Sequence, residues 1–490
     1  MHTHCHNTLN RSLLLLCAFS LMLVAVAPQS HASKKDNKNG YRITLTIKGN
    51  ADTIMYMGNY YVGKTYALDT ARINKKGQFV FEDENTNLLP GLYFFSNPQG
   101  RYVEFVIHNE QPFFSFETEN QNWTANMKVK GSAENDLFFL YNTYRSSIYG
   151  RVDSAYNVYQ KEKKSEADFN VFRDENLRVL DSIERTLVSS HPNSMLALIL
   201  TARHEPPVPS GDNMSEYDRY IYYMDHYFDN TDLTDDALIR TPDAIFHKRF
   251  VDYFDKYLHG AEAEMICRYA DTLIEKSRPS KEVFKYLVHT ITEKYLQTNI
   301  MGYDAVYVHL IKRYYATGQA WWSSPTVIDE NVKRAETWER LLIGKEAPDL
   351  YMRDDNGVAY QLHRMPGKYK LLIFWSPSCG HCKTMIPALH KTWVEIREKY
   401  NMSAYAVLSE PDDQNRPLWR KFIKEKGLDD WVNVDGGEAN IDWHEVYDVV
   451  TTPQIYLLDE NNKIVAKKLN ADLLVQIMGI LEREGKTENK

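Results

Sequence analysis

The stretch FWSPSCGHCKTMIP, Phe374 to Pro387, decides how the C-terminal third of the chain folds. It begins in the apolar run Leu371–Trp375 and leads into a helical pattern starting near Gly380, which predicts a buried strand feeding a helix. A helix that starts at the first cysteine holds the sulfur of Cys379 among the unpaired N–H groups of its first turn, where the macrodipole favours negative charge. Cys382 then lies one turn deeper. Sulfur exchange needs an accessible thiolate and a second thiol near enough to release the mixed disulfide. Cys379 suits the attacking role and Cys382 the resolving one. His381, between them, can add positive charge or a hydrogen bond to the outer sulfur, and each unit of pKa lowering corresponds to about 1.4 kcal/mol of thiolate stabilisation. Paired cysteines also bind zinc, but a zinc site needs a second Cys/His pair at ligand spacing, and the other histidines are scattered. No metal is expected.

The chain has five cysteines in 490 residues. Cys5 and Cys17 lie in a leader: Arg11 is followed by an apolar run from Leu13 to Ala27, the length of a signal h-region, and Ser30-His31-Ala32 offers a cleavage site after Ala32. Residues 1–32 therefore read as a signal peptide, and the mature chain as exported, with no membrane span left after cleavage. Cys267, in the apolar-periodic stretch AEMICRYADTL, reads as a buried inert thiol. One close pair plus one lone cysteine is the arithmetic of a redox site, because small secreted proteins held by disulfides carry many more. The formal net charge of −8 argues against nucleic acid or an anionic membrane surface as partner.

From Tyr41 the hydrophobic period is two. Ile43, Leu45 and Ile47 alternate with polar residues, and short runs recur at 79–81, 92–95, 102–107 and 113–116 with turn signals between them. After Gly131-Ser132 the period becomes helical, with Leu137, Leu140, Tyr141, Tyr144 and Ile148 on one face, and Gly260 and Gly318 stand where helix C-caps belong. From Gly344 strands alternate with helices. The expected architecture is multidomain: an antiparallel β sandwich or barrel over 41–131, an all-helical domain over 132–340, and a C-terminal α/β domain over 344–485.

Further residues sharpen the last assignment. Trp375 lies four residues before Cys379, Pro387 five after Cys382, and Thr451-Thr452-Pro453 opens the stretch TTPQIYLLD. This constellation closely resembles the thioredoxin fold, with its tryptophan-spacer-CxxC segment, helix proline and cis-proline loop. The branch it resembles is the exported TlpA/ResA-like one, whose N-terminal extension looks like GKEAPDLYMRDDNGVAYQL, Gly344 to Leu362. The regions before it resemble the β-rich and helical domains that precede such modules in exported proteins of Bacteroidota. The resemblance implies that Thr452, before Pro453, offers its backbone to an extended substrate peptide. It also implies that Glu410 stands near the dithiol, able to move the proton of Cys382. Gly-His and Lys383 look instead like protein disulfide isomerase, and Ile373 stands where thioredoxin keeps a buried acid.

The expected function is periplasmic thiol–disulfide exchange on protein disulfides, slightly favouring reduction. The redox-active Cys379–Cys382 disulfide serves as the only cofactor and an upstream redox partner resets it. Trp375, His381 and Glu410 are expected to modulate the pair. Isomerase or oxidase activity is the nearest alternative. A peroxidase ranks lower, because Leu372 and Ser376 occupy the Pro and Thr positions of the peroxiredoxin pattern. An envelope adaptor with a tethered thioredoxin module is the non-enzymatic reading.

Overall fold

A computed structural model describes residues 39–162, 165–209 and 214–488. The signal-peptide reading of residues 1–32 lies outside them. The chain divides into two compact units: the described residues up to Gly260 with Leu273–Tyr286, and Ala261–Thr272 with the described residues from Leu287 onward.

The first unit opens with strands β1 (Tyr41–Lys48), β2 (Ile54–Tyr61), β3 (Lys64–Arg72), β4 (Gln78–Asp83), β5 (Gly91–Ser96), β6 (Tyr102–Ile107), β7 (Phe113–Glu119) and β8 (Lys128–Lys130). They form two four-stranded sheets, ordered β4-β1-β7-β8 and β3-β2-β5-β6. Neighbours run antiparallel except β1 and β7, which the long connection between them allows to pair in parallel. Ile43 and Leu45 are fully buried while their neighbours along β1 face outward, as period two requires. They meet Phe79, Phe81, Phe95, Phe105 and Phe116 in one apolar cluster, where Phe95 stacks on Phe105 at 4.4 Å.

Helices α1 (Ala133–Glu162), α2 (Glu166–Ser190), α3 (Met195–Ala202), α4 (Glu216–His226) and α5 (His247–Asp252) follow. Asn135, on the first turn of α1, docks that helix on β6: its amide accepts from the Val106 N–H and donates to the Val106 carbonyl, both at 2.8 Å. Just past β6, His108 is buried, with Nε2 2.9 Å from Asp235 and Nδ1 3.8 Å from Glu134. Burial opposes the charged ring, but the bonds to Asp235 and Glu134 together outweigh it, lifting its pKa from 6.5 to about 9. Helix α6 (Ala263–Lys276) and α7 (Lys281–Leu296) each contribute residues to both units.

The second unit continues with α8 (Asp304–Leu310) and α9 (Pro325–Arg340), the latter capped by Ser324 with Pro325 at its first position. Then come β9 (Tyr351–Arg353), β10 (Ala359–Gln361), β11 (Tyr369–Trp375), α10 (Gly380–Tyr400), β12 (Met402–Leu408), α11 (Asn415–Lys426), β13 (Val432–Asp435), α12 (Trp443–Val446), β14 (Gln454–Leu458), β15 (Ile464–Lys467) and α13 (Ala471–Glu488). The sheet order is β10-β9-β13-β12-β11-β14-β15, parallel through β11, β12 and β13. All seven residues of β11 are buried, the mark of a central strand covered on both faces. Ile373, Trp375 and Cys382 pack on one face with residues of α10, α11 and α13; Leu372 and Phe374 pack on the other with Leu341, Trp443 and Tyr447. At the β15 edge, buried Lys467 bonds Asp304 at the start of α8 and the Leu341 carbonyl. Burial pulls the pKa of Lys467 down, against the attraction of Asp304.

Two outcomes follow. Lys467→Met strands the Asp304 carboxylate and should cost about 3–5 kcal/mol, whereas the double variant with Asp304→Leu should recover most of it, measured by denaturant unfolding followed through tryptophan fluorescence. For His108 the folded-state pKa is raised, so its stabilisation is complete below about pH 6.5 and lost as pH rises through about 9. His108→Gln should flatten that part of the stability–pH curve, and an unchanged curve would contradict the ion-pair reading.

Candidate active site

Where β11 ends, the chain turns through Ser376, Pro377 and Ser378, and Cys379 becomes the N-cap of α10. Its backbone is extended (φ −68°, ψ 125°), and its sulfur does what a serine or aspartate oxygen does at other caps, accepting from the Cys382 N–H at 3.5 Å. Cys379 is half-buried; Cys382, one turn on, is completely buried beside Trp375. Across the gap, the Thr452 carbonyl accepts from the Cys379 thiol at 3.2 Å, and the Thr452–Pro453 bond is cis. The positions singled out as Cys379, Cys382, Thr452 and Pro453 thus converge, although 73 residues separate Cys379 from Thr452.

The two sulfurs differ in electrostatics. For Cys379, burial opposes the thiolate, but the N–H groups of Cys382 and His381, the Thr452 hydroxyl and the Cys382 thiol together hold its pKa below the ordinary value. The Thr452 carbonyl works the other way, since an acceptor favours the neutral thiol, and the donors win. For Cys382, burial dominates and pushes the thiol up to about 12. His381 contributes its backbone N–H; its side chain is exposed. Trp375 is fully buried and tilts against Phe422 at 5.1 Å, so it forms the floor behind the dithiol rather than its rim.

Glu410, just past β12, is exposed and accepts from the hydroxyls of Ser376 and of Ser378, the latter at 2.6 Å. The Ser376 bond first, then the Ser378 bond, hold its carboxyl below the usual carboxylate range. Its bonds therefore tie it to the loop preceding Cys379, and Ser376 stands between it and Cys382, whose sulfur meets the Ser376 N–H. Sequence reasoning missed this pair of serines as partners of Glu410; two hydroxyls flanking a proline carry no signal until the end of β12 is known to lie beside them. Cys267, on α6, is half-buried, and burial with Asp271 and Glu264 pushes its thiol up to about 12. Among the described residues no group of three or more His, Cys, Asp or Glu is placed to hold a metal ion, and no helix is long and apolar enough to cross a membrane.

A mixed sheet in which the buried strand β11 feeds a cysteine-capped helix, facing a cis-proline loop, defines a thioredoxin-like domain. Residues 343–467 match the AhpC/TSA family, while 41–138 and 158–336 match two domains of unknown function, DUF4369 and DUF5106. The thiol-disulfide oxidoreductase ResA of Bacillus cereus is 28% identical over 145 residues, covering 30% of this chain and 80% of that protein. A domain of a possible thiol-disulfide isomerase from Cytophaga hutchinsonii is 36% identical, covering 30% of this chain and 97% of that one, at a TM-score of 0.28. A thioredoxin-like protein from Bacteroides caccae covers 56% of this chain and 97% of its own, at 20% identity and a TM-score of 0.46. The C-terminal part of the chain thus carries an AhpC/TSA-type thioredoxin-like domain, similar in sequence to the ResA thiol-disulfide oxidoreductases.

The unequal environments set an order of reactivity. Limiting iodoacetamide at neutral pH should label Cys379 first, with Cys382 and Cys267 protected until the chain unfolds, as read by peptide mass spectrometry. Equal labelling of all three would contradict the assigned environments.

Proposed function

We propose that the protein is a periplasmic thiol–disulfide oxidoreductase that reduces protein disulfides through Cys379 and Cys382. The observation that carries this reading is the half-buried Cys379 sulfur capping α10, with Cys382 buried behind it and Thr452 3.2 Å in front. The Cys379 thiolate attacks one sulfur of a substrate disulfide, forming a mixed disulfide and releasing the other substrate sulfur as a thiol after it takes up a proton. Cys382 then loses its proton and attacks Cys379. The second substrate thiol departs, and the protein keeps a Cys379–Cys382 disulfide. The substrate has gained two electrons, and a dithiol donor must supply two to restore the pair.

Thr452 and Pro453 offer an extended substrate segment a backbone edge beside the reacting sulfur. Glu410, held beside the dithiol by Ser376 and Ser378, is the carboxylate available to take the Cys382 proton, while Trp375 keeps water from behind the pair. No cofactor beyond the cysteine pair is needed. The leader-like residues 1–32 support export. The reducing direction is supported by the donors on the Cys379 sulfur, which are neutral, with the His381 ring exposed. A strong cation there would stabilise the dithiol further and make the pair more oxidising.

The full chain should reduce insulin disulfides in the presence of a chemical dithiol. Cys379→Ala should lower that rate by at least about 100-fold, and Cys382→Ala should accumulate a covalent mixed disulfide visible on non-reducing gels. Full activity in Cys379→Ala would end this reading. A reduction potential well above about −200 mV would transfer the assignment to the isomerase or oxidase alternative.

A further inference from the structure

The helical stretch ahead of the thioredoxin-like sheet ends in α9, and the last turn of that helix bears on the chain leading to Thr452. Trp338 donates its indole N–H to Asp448 Oδ2 at 2.5 Å. Leu341, just past α9, lies buried in the same apolar cluster as Tyr447 and Val449. Lys333 adds an ion pair with Glu445 at 2.6 Å, both side chains largely exposed, so it contributes little. Trp338 is itself held in place: its ring tilts against Tyr307 at 4.9 Å, and the Tyr307 hydroxyl donates to Asn331, also on α9, at 2.7 Å.

Asp448 is the point at which this contact acts. Its φ of +46° lies in the left-handed region, which Asp and Asn enter more readily than most residues. Val449 next to it is buried in the core, and one residue on Val450 is 77% exposed, so the chain leaves the core immediately after Val449. Beyond it comes Thr452, facing Cys379, and then Gln454, whose amide donates to the Tyr447 carbonyl at 2.8 Å and closes the loop from its far side. The loop is thus tied at Tyr447 and Val449 by its own domain and at the Asp448 side chain by the helical segment.

We infer that Trp338 is a positioning residue for disulfide exchange: through Asp448 it sets the loop that presents Thr452 to Cys379 and to the substrate backbone. A residue of the helical segment, outside the thioredoxin-like fold, then helps determine how tightly a disulfide substrate binds. The inference rests on the roles proposed for Cys379 and Thr452.

The test uses the full chain and four variants: Trp338→Phe, which keeps a ring and removes the N–H; Asp448→Gly, which enters the left-handed region freely but removes the acceptor; Asp448→Asn, which keeps both; and the double variant W338F/D448G. Melting temperature, kcat and KM on a synthetic disulfide peptide, and the pH profile of Cys379 alkylation are read for each. Trp338→Phe and Asp448→Gly should raise KM about fivefold with kcat within about twofold, and should slow Cys379 alkylation at neutral pH about threefold. Asp448→Asn should retain wild-type values, and the double variant should be no worse than the poorer single one. The inference is overturned if Trp338→Phe lowers the melting temperature while leaving KM and the alkylation profile unchanged, or if Asp448→Asn is as impaired as Asp448→Gly. Should the wild type fail to turn over the peptide, the exchange reading falls, and the alkylation profile alone then decides for or against Trp338.

Discussion

A helix must find acceptors for its first N–H groups, and at α10 one acceptor is a sulfur. Cys379 caps the helix through Sγ, so the requirement that closes the helix end also lowers the cost of a negative charge on that atom. The rest of the C-terminal unit serves this arrangement. β11, buried along its whole length, fixes where the helix begins; Cys382 and Trp375 fill the space behind the cap; the loop ending at Thr452 closes the front. Moving the strand, the cap or the loop would move the sulfur's partners with it.

The same residue type in three settings shows what the cap supplies. Cys382 is only one turn from Cys379 and still near the helix start, yet burial dominates and its thiol is pushed up to about 12. Cys267 lies in the middle of α6, where the backbone N–H groups are already committed to the helix, and it too is pushed up to about 12. Only Cys379 has several N–H groups and a hydroxyl converging on a half-buried sulfur. An outer thiol that ionises readily and an inner one that resists ionisation suit attack followed by resolution, because the inner sulfur stays protonated until the mixed disulfide forms.

Much of this was legible in the sequence because it is local. Strand periodicity in β1, the apolar run of β11, the cysteine spacing and the Thr-Thr-Pro before β14 each concern a few adjacent residues, and the expected fold class, with its β, helical and thioredoxin-like parts, is the one observed. What escaped depends on neighbours distant in the chain. β3 is exposed at most positions and shows no alternation to read, and β13, only four residues long, is held chiefly by pairing with β12. Two single turns of π-helix, Tyr253–Tyr257 after α5 and Ile311–Tyr315 after α8, lie inside patterns that read as ordinary helix. Glu410 was singled out, but its serine partners were not, because the contact joins the end of one strand to the loop after another.

That division between local and distant signals bears on how the helical segment relates to the exchange site. A thioredoxin-like sheet with its CxxC helix and proline loop is complete in topology from β9 to α13, so nothing in its own motifs calls for α8 and α9. Yet Lys467 on the edge strand is buried against Asp304, and Asp448 in the approach to Thr452 is bonded to Trp338. A buried lysine without Asp304 would carry an uncompensated charge, and the Asp448 carboxylate without Trp338 would lose its indole donor. The thioredoxin-like part of this chain therefore carries residues adapted to the helices packed on it, one at its edge and one on the path to the reacting sulfur. The second couples the helical segment to the site, because it acts on the loop whose far end faces Cys379.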